Sequence, residues 1–86
     1  MGNTAIVILN YNGVDYLRQF LPKVIQYADG CKVVVIDNHS TDGSAAYINH
    51  YHPDIQFIIL PEFYSAIGLV ERVMLYLQID RNYFFL

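Results

Sequence analysis

The 86-residue chain contains no tryptophan, one cysteine, and only five lysines and arginines against eight aspartates and glutamates. Each scarcity closes off a class of function. Cys31 alone cannot form an internal disulfide, which fits a reducing compartment; at the start of an apolar run it reads as a small buried hydrophobe before it reads as a reactive thiol. A net charge of −3 leaves no basic stripe to neutralise phosphates, so nucleic acid is not an expected partner. No apolar run approaches the roughly 18 residues of a transmembrane segment. Met1-Gly2-Asn3-Thr4 lacks the charged start of a secretory signal. A myristoylation pattern would need Ser or Thr where Ile6 stands. Without an export signal, the glycosylation sequon spelled by Asn38-His39-Ser40 is a coincidence of letters.

Apolar residues are abundant instead. They make up 55% of the chain, with eight tyrosines among them. So short a chain fits one domain over residues 1–86, and its burial on folding is modest. Either its core is dense, or some of its apolar surface is meant for a partner.

The order of the apolar segments predicts the architecture. Ala5-Ile6-Val7-Ile8-Leu9 is a continuous β-branched and leucine run, the pattern of a strand buried on both faces. Leu17, Phe20, Leu21, Val24 and Ile25 then recur at helical spacing, with Pro22 expected to kink that helix or open one of its backbone bonds and Asp29-Gly30 to end it. Residues 32–36 predict a second buried strand. A second helix carries Ala45, Ile48 and Tyr51, capped by Ser40 or Thr41 with Asp42 in its first turn. Residues 55–60 predict a third strand. Val70, Val73, Met74 and Leu77 mark a third helix, and Tyr83-Phe84-Phe85-Leu86 a fourth strand. The expected fold is α/β: a three-layer, Rossmann-like half of a doubly wound fold, with a mostly parallel four-stranded sheet in β-α-β-α-β-α-β order.

Two polar clusters interrupt this pattern where chemistry is expected. Asn10-Tyr11-Asn12-Gly13 follows the first strand and Asp37-Asn38-His39-Ser40 the second. In an open parallel sheet, ligands bind outside the carboxyl ends of the strands. Tyr11 offers a flat face on which a nucleobase can stack. Asn10 and Asn12 carry donors and acceptors beside it, Asp37 can accept from base N–H groups or ribose hydroxyls, and Asn38 and Ser40 extend the rim. The plainer reading is that these residues serve turns at strand ends. No P-loop is present. The glycine-rich dinucleotide fingerprint is missing after the first strand, although Asp37 suits a ribose contact and keeps a degenerate dinucleotide-binding half as an alternative. His50 and His52, two apart on a helix, point in different directions and do not suggest a metal site.

Ile6-Val7-Ile8-Leu9-Asn10-Tyr11-Asn12-Gly13, followed by Val35-Ile36-Asp37-Asn38-His39-Ser40-Thr41-Asp42-Gly43-Ser44, resembles the start of a family-2 glycosyltransferase, whose fold is called GT-A. The resemblance implies a nucleoside diphosphate sugar as partner. It implies Tyr11 packing on the base, and Asp37 with Asn38 contacting base or ribose. The Asp-Asn form resembles bacterial rhamnosyltransferase-like members and implies a role in surface polysaccharide synthesis.

Two segments depart from the family pattern. Glu62-Phe63-Tyr64-Ser65-Ala66-Ile67-Gly68-Leu69-Val70-Glu71-Arg72 stands where the family often has a glycine-rich segment, and Phe63 and Ile67 are bulky where small or polar residues are usual. Arg72 suits either a diphosphate or an ion pair on a helix surface. The family's metal-binding Asp-x-Asp, which would hold Mg or Mn, and its catalytic base follow the fourth strand and do not occur before Leu86. The chain is therefore expected to bind nucleotide without turnover and without a cofactor of its own, in the cytoplasm or at the inner membrane face in a longer parent. The alternative is a non-catalytic module that self-associates through its fourth strand and third helix, using Leu69, Leu75, Tyr76 and Phe84-Phe85.

Overall fold

The computed structural model describes residues 5–65, 68–69, 71 and 83–85. Strand β1 (Ala5–Asn10), helix α1 (Val14–Gln26), strand β2 (Lys32–Asp37), helix α2 (Ser44–Tyr51) and strand β3 (Gln56–Ile59) follow in order. They form an α/β, Rossmann-like unit around a parallel three-stranded core. A three-residue strand, β4 (Tyr83–Phe85), pairs parallel with the free side of β1, so the sheet order is β3-β2-β1-β4. The third helix expected at Val70, Val73, Met74 and Leu77 lies outside the described residues, as do Leu75, Tyr76 and Leu86.

β2 is the sheet's central strand, and Val33, Val34, Val35 and Ile36 are all buried. Their alternation supplies two separate cores. Val33 and Val35 join Leu17 and Leu21 of α1 and Tyr47 and Ile48 of α2 on one face. Val34 and Ile36 join Val7, Leu60 and Leu69 on the other. Both helices lie on the same face because the chain steps in one direction from β1 to β2 to β3, and right-handed crossovers then stay on one side. Burying Leu21 and Ile48 fully contributes about 2 kcal/mol each.

α1 continues through Pro22, which sits on its exposed side and opens one backbone bond that water can replace. Two expectations are corrected. Phe20, expected in the buried stripe, is 47% exposed and stacks on Tyr16 instead, with ring centroids 6.3 Å apart. α2 starts at Ser44 behind Gly43, so neither Ser40 nor Thr41 caps it.

Candidate functional site

Asn10 and Asp37 end their strands as register partners. Side chains alternate along a strand, so both point to the face that carries the helices, one layer beyond Ile8 and Val35. Both are buried there. The Asn10 amide Nδ2 donates to Asp37 Oδ1 at 2.8 Å and to Ser40 Oγ at 3.3 Å. Asp37 also accepts from Ser40 Oγ at 2.7 Å and from the Ser40 N–H at 2.8 Å. Of the four acceptor positions of a carboxylate, three are filled.

The two loops also join each other. The Asn12 N–H donates to Ser40 Oγ at 2.8 Å, and Asn12 Oδ1 accepts from the N–H groups of Thr41 at 2.8 Å and Asp42 at 3.2 Å. Asn12 and His39 both occupy the left-handed region, at φ 50° and 64°, which Asn and His tolerate better than most residues. Gly13 follows without a side chain for a direct reason: a Cβ there would lie 2.7 Å from Asn10 Oδ1.

Asp42 joins the starts of both helices. Its Oδ1 accepts from the N–H and hydroxyl of Ser44, and its Oδ2 from the N–H of Val14 at 3.1 Å. Neither helix has a side-chain cap from its own N-cap residue, so this one carboxylate serves the two positive helix ends. Partial burial raises its pKa, but the bonds from Ser44 and Val14 outweigh that and hold it below the usual 3.8.

Asn38 points to the opposite face and fastens a third loop. Its Nδ2 donates to the Tyr64 carbonyl at 2.7 Å, and its Oδ1 accepts from the Tyr64 N–H at 2.9 Å. His39 Nδ1 lies 3.1 Å from the Leu60 carbonyl, which can only accept, so Nδ1 carries the proton and Nε2 is left as an acceptor. Thus Asp37-Asn38-His39-Ser40 reaches in four directions and ties together the loops after β1, β2 and β3.

Above this buried floor stands Tyr11, 53% exposed, in edge-to-face contact with Phe63 at 4.9 Å between ring centroids. On the helix side, Tyr11, Asn10 and Gly13 form the polar end of an otherwise apolar cleft of about 560 Å³ that continues along Ile8, Tyr16 and Phe20. Of the residues singled out in the sequence, Asn10, Tyr11, Asn12, Asp37, Asn38 and Ser40 come together here. Arg72 lies outside the described residues. Asp42, Phe63 and the Tyr64 backbone also belong to the assembly; in the sequence Asp42 stood out only as a residue of the second motif at a helix start, and Phe63 only as a bulky departure from the family pattern.

None of the described lysines and arginines bonds to the floor, and Lys23 lies in the last turn of α1, at the end away from Asp42. Arg18 pairs with Asp15 at 3.9 Å and lies over the Tyr47 ring, while Lys32 begins β2 at the opposite end from Asp37. Among the described residues no group of three or more His, Cys, Asp or Glu is placed to hold a metal ion. The donors present do not fit a divalent cation. What they offer is a neutral and anionic hydrogen-bonding floor with an aromatic wall, suited to a planar, polar heterocycle and its hydroxylated ring.

The floor lies at the carboxyl ends of β1 and β2 of a Rossmann-like α/β sheet, the position at which open parallel sheets take their ligands. The sequence profile of Glycosyl transferase family 2 matches residues 5–68, and the chain belongs to that family. The mannosyltransferase PcManGT from Pyrobaculum calidifontis, solved in complex with GDP-Man and Mn2+, superposes with a TM-score of 0.67 at 20% identity. The match covers 86% of this chain and 24% of that one, so this chain spans about a quarter of the length of its structural relative. No curated protein sequence matches. No helix among the described residues is long and apolar enough to cross a membrane.

Proposed function

We propose that this chain forms the nucleotide-binding part of a sugar-nucleotide glycosyltransferase. Its partner is the nucleoside diphosphate of the donor, and the parent reaction transfers the sugar to a saccharide or lipid-linked acceptor, in bacterial surface polysaccharide synthesis at the cytoplasmic side. The observation that carries this reading is the exposed Tyr11 ring above the buried pair of Asn10 and Asp37, with the half-buried Ser40 bonded to it. A base stacks on Tyr11. Its polar edge and the ribose hydroxyls meet Asn12, whose Nδ2 makes no hydrogen bond among the described residues, while the buried Asp37 carboxylate supports that floor from beneath with one acceptor position unfilled. Asn38 and Ser40 hold the loops that shape this pocket.

Recognition rests on the nucleoside. Asp37 and Asp42 repel a diphosphate, and no described cation offsets them; Arg72 is the group proposed to face it. Affinity is therefore weak, and the described residues, which hold no cation site, do not by themselves assist departure of a diphosphate. Calorimetric titration with GDP, UDP, dTDP and ADP tests the reading. Weak binding of at least one, lowered several-fold in Tyr11→Ala, is expected; no binding at millimolar ligand contradicts it.

A second reading, self-association, draws support from the exposed Tyr16 and Phe20 lining the apolar cleft. Light scattering that shows a monomer over a wide concentration range excludes it.

A further inference from the structure

The segment after β3 departs most from the family pattern, and Phe63 is its most conspicuous member. Its side chain is 56% exposed. It is not loosely placed. The Asn38 side chain grips the Tyr64 backbone from both sides, through Nδ2 to the carbonyl at 2.7 Å and Oδ1 to the N–H at 2.9 Å. His39 holds the Leu60 carbonyl at the other end of the same turn, at 3.1 Å. These three bonds come from the second polar motif and bring a ring that follows β3 across the end of β2 to Tyr11, beyond β1.

The two rings meet at 61° with centroids 4.9 Å apart. Each keeps more than half of its surface open, so the pair forms a corner: one ring face is free, and the second ring stands at its margin. A planar base can lie flat on one ring with its edge against the other. Tyr11 follows the buried Asn10 in the chain, and Phe63 precedes the Tyr64 backbone that the buried Asn38 holds.

We infer that Phe63 is a second aromatic wall of the base subsite, and that Asn38 is the residue that positions it there. This rests on the nucleotide-binding reading and assigns the base two rings instead of one. Phe63 touches the ligand; Asn38 acts through the Tyr64 backbone. The bulky residue that breaks the family pattern is then a replacement contact: recognition lost by close backbone approach after β3 is recovered by aromatic surface.

The test is a titration of the intact chain with GDP, UDP and ribose 5-phosphate, following ligand and ring protons by NMR. The base adds affinity over ribose 5-phosphate in the parent chain. Phe63→Ala reduces nucleotide affinity roughly 5- to 10-fold, the lower range for loss of one stacking contact, and leaves ribose 5-phosphate binding unchanged. Phe63→Tyr retains affinity, while Phe63→Leu, which keeps apolar bulk without a ring, does not. Base protons show nuclear Overhauser effects to the Phe63 ring. Asn38→Ala weakens those effects together with affinity. Phe63 is exposed, so its variants fold, as circular dichroism verifies. Nucleotide binding that depends on Tyr11 but is indifferent to Phe63→Ala overturns this inference and leaves the broader reading standing. Absence of nucleotide binding in the parent chain overturns both.

Discussion

Replacing Asp37 by asparagine removes one charge and almost no volume, and it should nevertheless be among the most damaging changes in the chain. The carboxylate receives the Asn10 amide and the Ser40 hydroxyl on Oδ1 and the Ser40 N–H on Oδ2. An asparagine amide must place its NH2 at one of those two positions. At the Oδ2 position it faces the Ser40 N–H, which cannot turn away. At the Oδ1 position it faces the Asn10 NH2, whose own Oδ1 lies against the Gly13 backbone. Either way two donors confront each other beside a buried group. A buried donor left without its acceptor costs about 1–3 kcal/mol, and the lost bonds were to a charged acceptor. A destabilisation of about 2–3 kcal/mol follows, against a total of about 4–13 kcal/mol for a domain of this size. With an m-value near 1 kcal/mol/M, the urea midpoint falls by about 2–3 M. Asp37→Ala, which orphans the same donors and adds a small cavity, should be at least as severe. The assay is equilibrium urea unfolding followed by far-ultraviolet circular dichroism. An Asp37→Asn midpoint within about 0.5 M of the parent would show that water re-pairs these donors, and would refute the account of a closed, buried network.

Other perturbations separate the parts of the assembly. Gly13→Ala drives a Cβ onto Asn10 Oδ1, 2.7 Å away, and should cost about 1–3 kcal/mol in the same assay. Leu21→Ala empties the centre of the helix-side core and should cost about 2–5 kcal/mol. For Asp42 the pH dependence has a definite sign. Its carboxyl titrates lower in the folded state than the usual 3.8, so its contribution is complete above that value and is lost as pH falls through the folded pKa. Asp42→Asn should therefore flatten the acid limb of the stability curve below about pH 4 and leave the neutral region with the smaller loss of two helix-end bonds, measured by urea unfolding across that range.

The fold was legible because β1 and β2 are uninterrupted apolar runs with sharp polar ends, and because α1 carries a clear helical stripe. The same sharp ends brought the two polar clusters together: once the strands pair in parallel, Asn10 and Asp37 fall beside each other by register. What the sequence did not reveal is how the polar side chains divide between ligand and loop. Local rules suggested Ser40 or Thr41 as the α2 cap, yet Ser40 turns back to Asp37 and the α2 end goes to Asp42, two residues before Ser44, whose second carboxylate oxygen is given to Val14 of α1, 28 residues away. That choice depends on tertiary packing, since Val14 N–H comes within reach only when α1 and α2 lie on one face. Phe20 fits the helical stripe equally well by spacing, but the α1 surface it occupies borders the cleft beside β1 and is left open. Phe63 looked like a defect in a family motif; only its contact with Tyr11 gives it a role.

The central claim is that the polar ends of β1 and β2, with the aromatic corner above them, bind a nucleotide. Amide chemical-shift mapping of the intact chain with GDP and UDP tests it most directly. Dose-dependent shifts confined to residues 10–13, 37–42 and 60–65, saturating in the millimolar range and abolished in Tyr11→Ala, are predicted. Shifts scattered over the surface, or centred instead on the apolar cleft between Tyr16 and Val24, would contradict it.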